Sequence, residues 1–225
     1  MKILKKNEIF QKTYMAVNRP FCAVAYLLFL YFGCIASSGA FAIERKAEEL
    51  ASKKVSEYKI KAVYLYKFLM FVDWPETDNP DTKDDEIVLG ILGKDPFGKN
   101  FDIVDGKVIK SRGKILRIKR FGDYNEKLDL AQCDLLFICS SEMKNISRIV
   151  KGLKSKPVLT VADTKGFLEA GGMINLLISN PKVQWEVNMT PLWWSNLRPH
   201  SQFLRIAVRV VEIPKINKEK GQPFK

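Results

Sequence analysis

The sequence predicts an α/β fold: a three-layer sandwich whose mainly parallel sheet carries an antiparallel hairpin at one side and helices on both faces. Three observations point to it. The apolar runs Ile87–Leu92, Asp134–Cys139 and Pro157–Ala162 are continuous rather than alternating, as strands covered on both faces are. Helical stretches separate these runs, the pattern of a sheet built by crossover connections. Met173–Ile178 and Val183–Val187 are joined only by Ser179-Asn180-Pro181-Lys182, a connection that suits an antiparallel pair and no crossover.

The elements follow in order. From Glu44 to about Val72 there is no Gly or Pro, and apolar residues recur at Val55, Ala62, Leu65, Tyr66 and Leu69, which predicts a long helix. Asp73-Trp74-Pro75 stops it, because the residue before Pro is pushed out of the helical region. Glu76 to Glu86, with six acidic residues and Pro80, reads as an exposed connection. Ile87–Leu92 is then a strand, Phe97–Val104 a short helix, Lys114–Lys119 a strand and Asp134–Cys139 another. Glu142–Leu153 is a helix, Pro157–Ala162 a strand, and Thr164–Ala170 a helical turn before the hairpin. Thr190-Pro191 opens a further helix by cap and first-turn chemistry, Pro199 interrupts it, and a last amphipathic helix runs to about Glu212.

This fold is preceded by an address. Residues 1–20 carry Lys2, Lys5, Lys6, Lys12 and Arg19 against Glu8 alone, and Phe21–Ile35 is an uncharged run of fifteen residues. Ala40-Phe41-Ala42 follows with the small-x-small pattern of a processing site, so residues 1–42 read as a Sec-type signal peptide cut after Ala42. As a helix the run would rise about 22 Å, short of a ~30 Å hydrocarbon core. An uncleaved anchor and lipidation at Cys34 are the two rival readings of the same segment. Export to the periplasm is the expectation, with one domain over 43–212 and a basic, flexible tail over 213–225.

Composition narrows the function. Of 225 residues 47% are hydrophobic, there is one His, and the formal charge is +12. Loss of five cations and one anion with the signal lowers that charge by four, to +8. An exported chain does not meet nucleic acid in bulk, so the excess suits solubility, an anionic membrane or an acidic protein face. A His-rich metal site is excluded and no cofactor motif is present. Cys133 and Cys139 remain in a compartment where disulfides persist. As residues of one strand they would stand about 20 Å apart, so a bridge between them requires Cys133 to fold back on a turn.

Candidate chemistry is thin. Gly93-Lys94-Asp95-Pro96-Phe97-Gly98-Lys99-Asn100 fits the GxxxxGK spacing of a phosphate loop, yet Asn100 lacks the hydroxyl for Mg²⁺ and Pro96 lacks an amide donor. It reads as a strand-to-helix turn. His200 beside Ser201 cannot face it across a helix, and the acidic cluster Asp78, Asp81, Asp84, Asp85 and Glu86 lacks the spacing of a calcium loop. Trp185 alternates inward on its strand. Trp193 and Trp194 are helix neighbours and cannot both point the same way, which leaves one open to partial exposure, but core packing is the expected role of the pair. No catalytic set emerges, and the chain is not expected to be an enzyme. Asp163 ends a strand at the carboxyl edge of the sheet, where open α/β sheets place ligands and partners, and Ser140, Ser141 and Glu142 follow the preceding strand. These four are the candidate partner-binding residues; a helix cap is the alternative role for each, and Asp163 and Ser141 have the chemistry for it.

Seven motifs in one order carry a resemblance. Tyr64–Pro75 (YLYKFLMFVDWP), Ile87–Gly98 (IVLGILGKDPFG), Cys133–Glu142 (CDLLFICSSE), Pro157–Asp163 (PVLTVAD), Gly171–Ile174 (GGMI), Trp185–Asn188 (WEVN) and Gln202–Ala207 (QFLRIA) resemble the YfiR family over about residues 58–210. The resemblance implies a small exported α/β protein without known catalytic activity. It also implies a repressor that binds the periplasmic sensor domain of a membrane-bound diguanylate cyclase and lowers cyclic-di-GMP output. An outer-membrane lipoprotein that sequesters the repressor is a second implied partner, and a sensor histidine kinase is the alternative receptor. A homodimer is compatible with it, as is a periplasmic small-ligand binding protein using the cleft beside Gly93–Gly98 and Asp163. By the resemblance Phe71, Trp74 and Pro75 anchor the first helix on the sheet, Gly171 and Gly172 permit the turn before the hairpin, and Glu186 and Asn188 are structural motif positions.

Overall fold

The computed structural model describes residues 45–55, 57–75, 85–179, 182–211, 216–217 and 222–223. The signal segment and most of the acidic stretch lie outside the described residues. The chain divides into two units, 1–54 and 55–225. In the first, residues 45–54 are helical and exposed. All that follows concerns the second.

Helix α1 (57–71) presents Tyr58, Ala62, Leu65, Phe68 and Leu69 along one buried stripe, the spacing that puts i, i+3 and i+4 on one face. It ends in strand β1 (Val72–Asp73), which pairs antiparallel with β9 (Arg198–Pro199). The helix terminus is capped from a distance: Arg112 Nε donates to Leu69 O at 2.5 Å and its other end reaches Val72 O. The guanidinium also lies 4.8 Å over the Trp74 ring, whose Nε1 donates to Asp134 O at 3.2 Å.

The main sheet has eight strands in the order β3-β4-β2-β5-β6-β7-β8-β10. Its centre is β4 (Lys114–Gly122), β2 (Glu86–Leu92), β5 (Leu135–Ile138), β6 (Leu159–Ala162) and β7 (Ile174–Ser179), all parallel. Strand β3 (Val108–Ile109) closes one side antiparallel to β4. On the other side β8 (Lys182–Asn188) forms the expected hairpin with β7. One face of the sheet packs Leu89, Ile91, Leu135, Phe137, Val161 and Trp185 against α1, Phe97, Phe101 and the C-terminal helices. The other packs Leu92, Leu136, Ile138 and Ala162 against α2 (Ile146–Gly152) and the turn carrying Phe167 and Leu168. The sandwich therefore has three layers.

Four local expectations are corrected. The Phe97–Val104 helix is one 3-10 turn, Gly98–Phe101, and the helix after β5 opens as a 3-10 turn over Ser140–Asn145. Helix α3 (Met189–Trp194) is capped by Asn188, whose Oδ1 accepts from Thr190 N at 3.2 Å, rather than by Thr190 itself. The last helix, α4, is only Ser201–Arg205, and Arg209–Val211 forms strand β10, parallel to β8. Ile206, Val208, Val210 and Val211 are β-branched, and the outer edge of β8 offers them a ladder to join, beginning with Val208 N on Trp185 O at 3.0 Å. Beyond it Ile216–Asn217 pairs antiparallel with Gln222–Pro223.

Candidate functional site

Strand β6 stops at Ala162, pairing only as Val161↔Ile174 and Ala162↔Asn175, while β7 runs on to Ser179. The sheet therefore has a notch at its carboxyl edge, between the end of β5 and the overhang of β7. Ser140 borders it on one side and Leu176, Leu177 and Ile178 on the other. The notch opens into a groove of ≈ 850 Å³.

Asp163 stands at its floor, the first residue after β6, with a side chain only 6% exposed. Lys61 of α1, itself buried, donates to Asp163 Oδ2 at 2.6 Å and also pairs with Glu57 one turn earlier. Tyr58 Oη donates to the same oxygen at 2.8 Å. Burial, and then the negative Asp163 beside it, push the Tyr58 hydroxyl far above its ordinary range, so it is a permanent donor. Lys61 Nζ also lies 4.5 Å over the Tyr58 ring. Both donors gather on one carboxylate oxygen, Oδ2; Oδ1, also buried, has no hydrogen-bond partner among the described residues. Along the same groove Arg209 joins Glu169 at 3.0 Å and Glu186 at 3.1 Å, and Glu186 accepts from Asn175 at 3.4 Å.

The four residues expected to bind a partner separate into two pairs. Ser140 and Asp163 line the groove together. Ser141 and Glu142 instead lock the loops after β2 and β5: Lys94 N donates to Ser141 Oγ at 2.9 Å, and buried Glu142 accepts from Asn145 at 2.8 Å. A Cβ on Gly93, at φ +97°, would meet Ser141 Oγ at 2.4 Å, which is why the loop needs Gly there. The GxxxxGK stretch is filled by its own side chains, with Phe97 and Phe101 in the core and Asp95 accepting from Phe97 N at 2.7 Å and Arg120 at 2.8 Å. At the switch point between β2 and β5 the two loops therefore touch through Lys94 and Ser141, and the groove beside Asp163 lies one strand further along.

The remaining positions are scaffold in geometry. Phe71 meets His200 edge to face, and His200 Nε2 lies 3.1 Å from Asp73 rather than against a nucleophile. Gly171 takes φ +96°, and a Cβ on Gly172 would meet the Phe167 ring at 2.3 Å. Asn188, besides its cap, donates to Leu168 O at 3.2 Å. Trp185 is buried, Trp194 lies under Lys154, and Trp193 is exposed. Cys133 and Cys139 are both free thiols, packed in clusters on opposite faces of the sheet, so the bridge left open by the sequence is not formed. Burial pushes both thiols up to about 12. Among the described residues no group of three His, Cys, Asp or Glu is placed to hold a metal ion, and no helix is long and apolar enough to cross a membrane.

The YfiR/HmsC-like family matches residues 58–208. The chain belongs to that family. No characterised protein matches it significantly. The family match begins at Tyr58 and so covers Lys61, Asp163 and the whole overhang. Sequence reasoning found Asp163 by its place at a strand end but missed Lys61, Tyr58 and Glu57. A signal was there: Lys61 falls within the apolar stripe Tyr58, Ala62, Leu65, and a cation on a buried stripe requires a carboxylate opposite it.

Proposed function

We propose that this YfiR/HmsC-like chain is an exported regulator that binds the periplasmic sensor domain of an inner-membrane diguanylate cyclase and holds its output low. Family membership over residues 58–208 carries the reading. The signal-like N-terminus supports the compartment, and the notch supports a binding surface: it is open, half of its lining residues are charged, and its buried acceptor is uncommitted. Repression acts by population shift, because a bound regulator lowers output only to the extent that it prefers the inactive arrangement of the receptor. A lipoprotein that competes for the same regulator would release the cyclase. The test is co-purification of the mature protein, residues 43–225, from solubilised envelope. The reading expects a cyclase with a periplasmic domain; recovery of a sensor kinase would redirect it, and recovery of no signalling protein would remove it.

A second reading, small-ligand binding, is favoured by one observation. Tyr64, Phe68, Phe71, Trp185 and Phe203 enclose a pocket of ≈ 330 Å³ rimmed by Lys67 and Arg205, and the buried Trp185 Nε1 has no acceptor among the described residues. Saturable thermal stabilisation by an aromatic carboxylate would support it, and loss of that shift in Arg205→Ala would place the ligand there.

A further inference from the structure

The overhang of β7 is a strand edge without a neighbour among the described residues. Met173 O accepts from Asn188 N at 2.8 Å, which turns the peptide groups of odd-numbered β7 residues toward β8. By strand alternation Leu176 and Ile178 turn their N–H and C=O the other way, along the line that β6 would have followed had it continued. Such an edge is a template for an added strand. Ile178 is 45% exposed at its tip, and the groove beside it is open.

The lining says what kind of strand. Four carboxylates face three cations there, a local excess of negative charge on a chain whose formal charge is +12. At the inner end, where an added strand would abut Ala162, Asp163 Oδ1 is buried without a donor, and Asn175 Oδ1 nearby is in the same condition. Two orphan acceptors under a negative rim call for donors and positive charge.

We propose that the notch receives an extended, basic segment of the partner, which joins the sheet as a strand beside Leu176–Ser179 and delivers a cationic side chain to Asp163. The inference rests on the regulatory reading above and names the surface that serves it. The buried Lys61–Asp163–Tyr58 cluster is then the fixed inner wall of the site, and β7 is its register-setting edge.

The test uses the cyclase periplasmic domain recovered in the co-purification. Adding it to the mature protein should slow hydrogen exchange at the Leu176 and Ile178 amides about tenfold or more, with smaller changes on β3 at the opposite side of the sheet. Ile178→Pro removes a donor that the β7–β8 ladder does not use, so the variant should keep its fold yet lose about tenfold or more in affinity, whereas Ile178→Ala should bind as the wild type does. Asp163→Asn should weaken binding by a similar factor. Binding that leaves the two amides unchanged, or that tolerates both Ile178→Pro and Asp163→Asn, overturns the inference while leaving the regulatory reading standing. Protection that appears without the domain, and grows with the concentration of the protein itself, would assign the edge to a second copy and also overturn it. Failure of the wild type to bind any signalling domain would remove both.

Discussion

Lys61 occupies a position on α1 where an apolar side chain would pack, and it is tolerated because Asp163 and Glu57 meet its ammonium. Removing one member of a buried pair strands the other, at a cost of about 3–5 kcal/mol, whereas replacing both with apolar groups is often close to neutral. Lys61→Met alone should therefore lower the urea midpoint sharply, and Lys61→Met with Asp163→Leu should recover most of the loss. A second residue-scale expectation concerns the thiols. With both pushed up to about 12 by burial, Cys133 and Cys139 are protonated and shielded at pH 8, so a thiol reagent should find neither in the native protein and both after unfolding. Asp134 gives a third. Burial raises its carboxyl above the ordinary range despite the Val88 amide that donates to it at 2.6 Å. The folded state then holds the proton more tightly than the unfolded one, so the stability this group contributes is full below its ordinary value and is lost as pH rises through the raised one. Urea midpoints from pH 3 to 7 should show that loss in the wild type and not in Asp134→Asn.

At the scale of elements, caps and close approaches decide where the chain turns. Asn188 ends β8, caps α3 and ties down the Leu168 carbonyl, so Asn188→Ala should cost about 1–2 kcal/mol in chemical denaturation while Asn188→Ser keeps part of the cap. Gly90 lies at the centre of β2, where a Cβ would meet Cys133 Sγ at 2.6 Å and Leu136 and Phe121 at 2.9 Å. Gly90→Ala should destabilise by about 1–3 kcal/mol through overpacking. Most elements were legible because they are buried on both faces: continuous apolar runs marked β2, β5 and β6, and a four-residue connection marked the hairpin. Strand β10 was not legible, since Gln202–Val211 carries helical spacing up to Ile206 and only the waiting edge of β8 draws the rest into the sheet. The short β3 and the distant cap by Arg112 were hidden for the same reason: both depend on partners remote in sequence.

For the whole molecule, the sandwich follows from hydrophobic pattern, but the site follows from a mismatch in strand length. Asp163 was legible as the residue after a strand; that β6 stops four residues short of its neighbour is a matter of register, which no local pattern records. Ser141 and Glu142 have the residue types and position of site residues, and both make loop contacts, Ser141 with Lys94 N beside Gly93, a partner remote in sequence, and Glu142 with Asn145. The same register places Asp163, with its uncommitted oxygen, at the floor of an open edge, and the added-strand inference depends on that edge being used, whereas the regulatory account does not. The most direct measurement is the cellular level of cyclic-di-GMP after clean deletion of this protein, with the cyclase intact, and after its return as wild type or as Asp163→Asn. The account predicts a rise on deletion, reversal by the wild type and incomplete reversal by the variant. An unchanged level on deletion would contradict it.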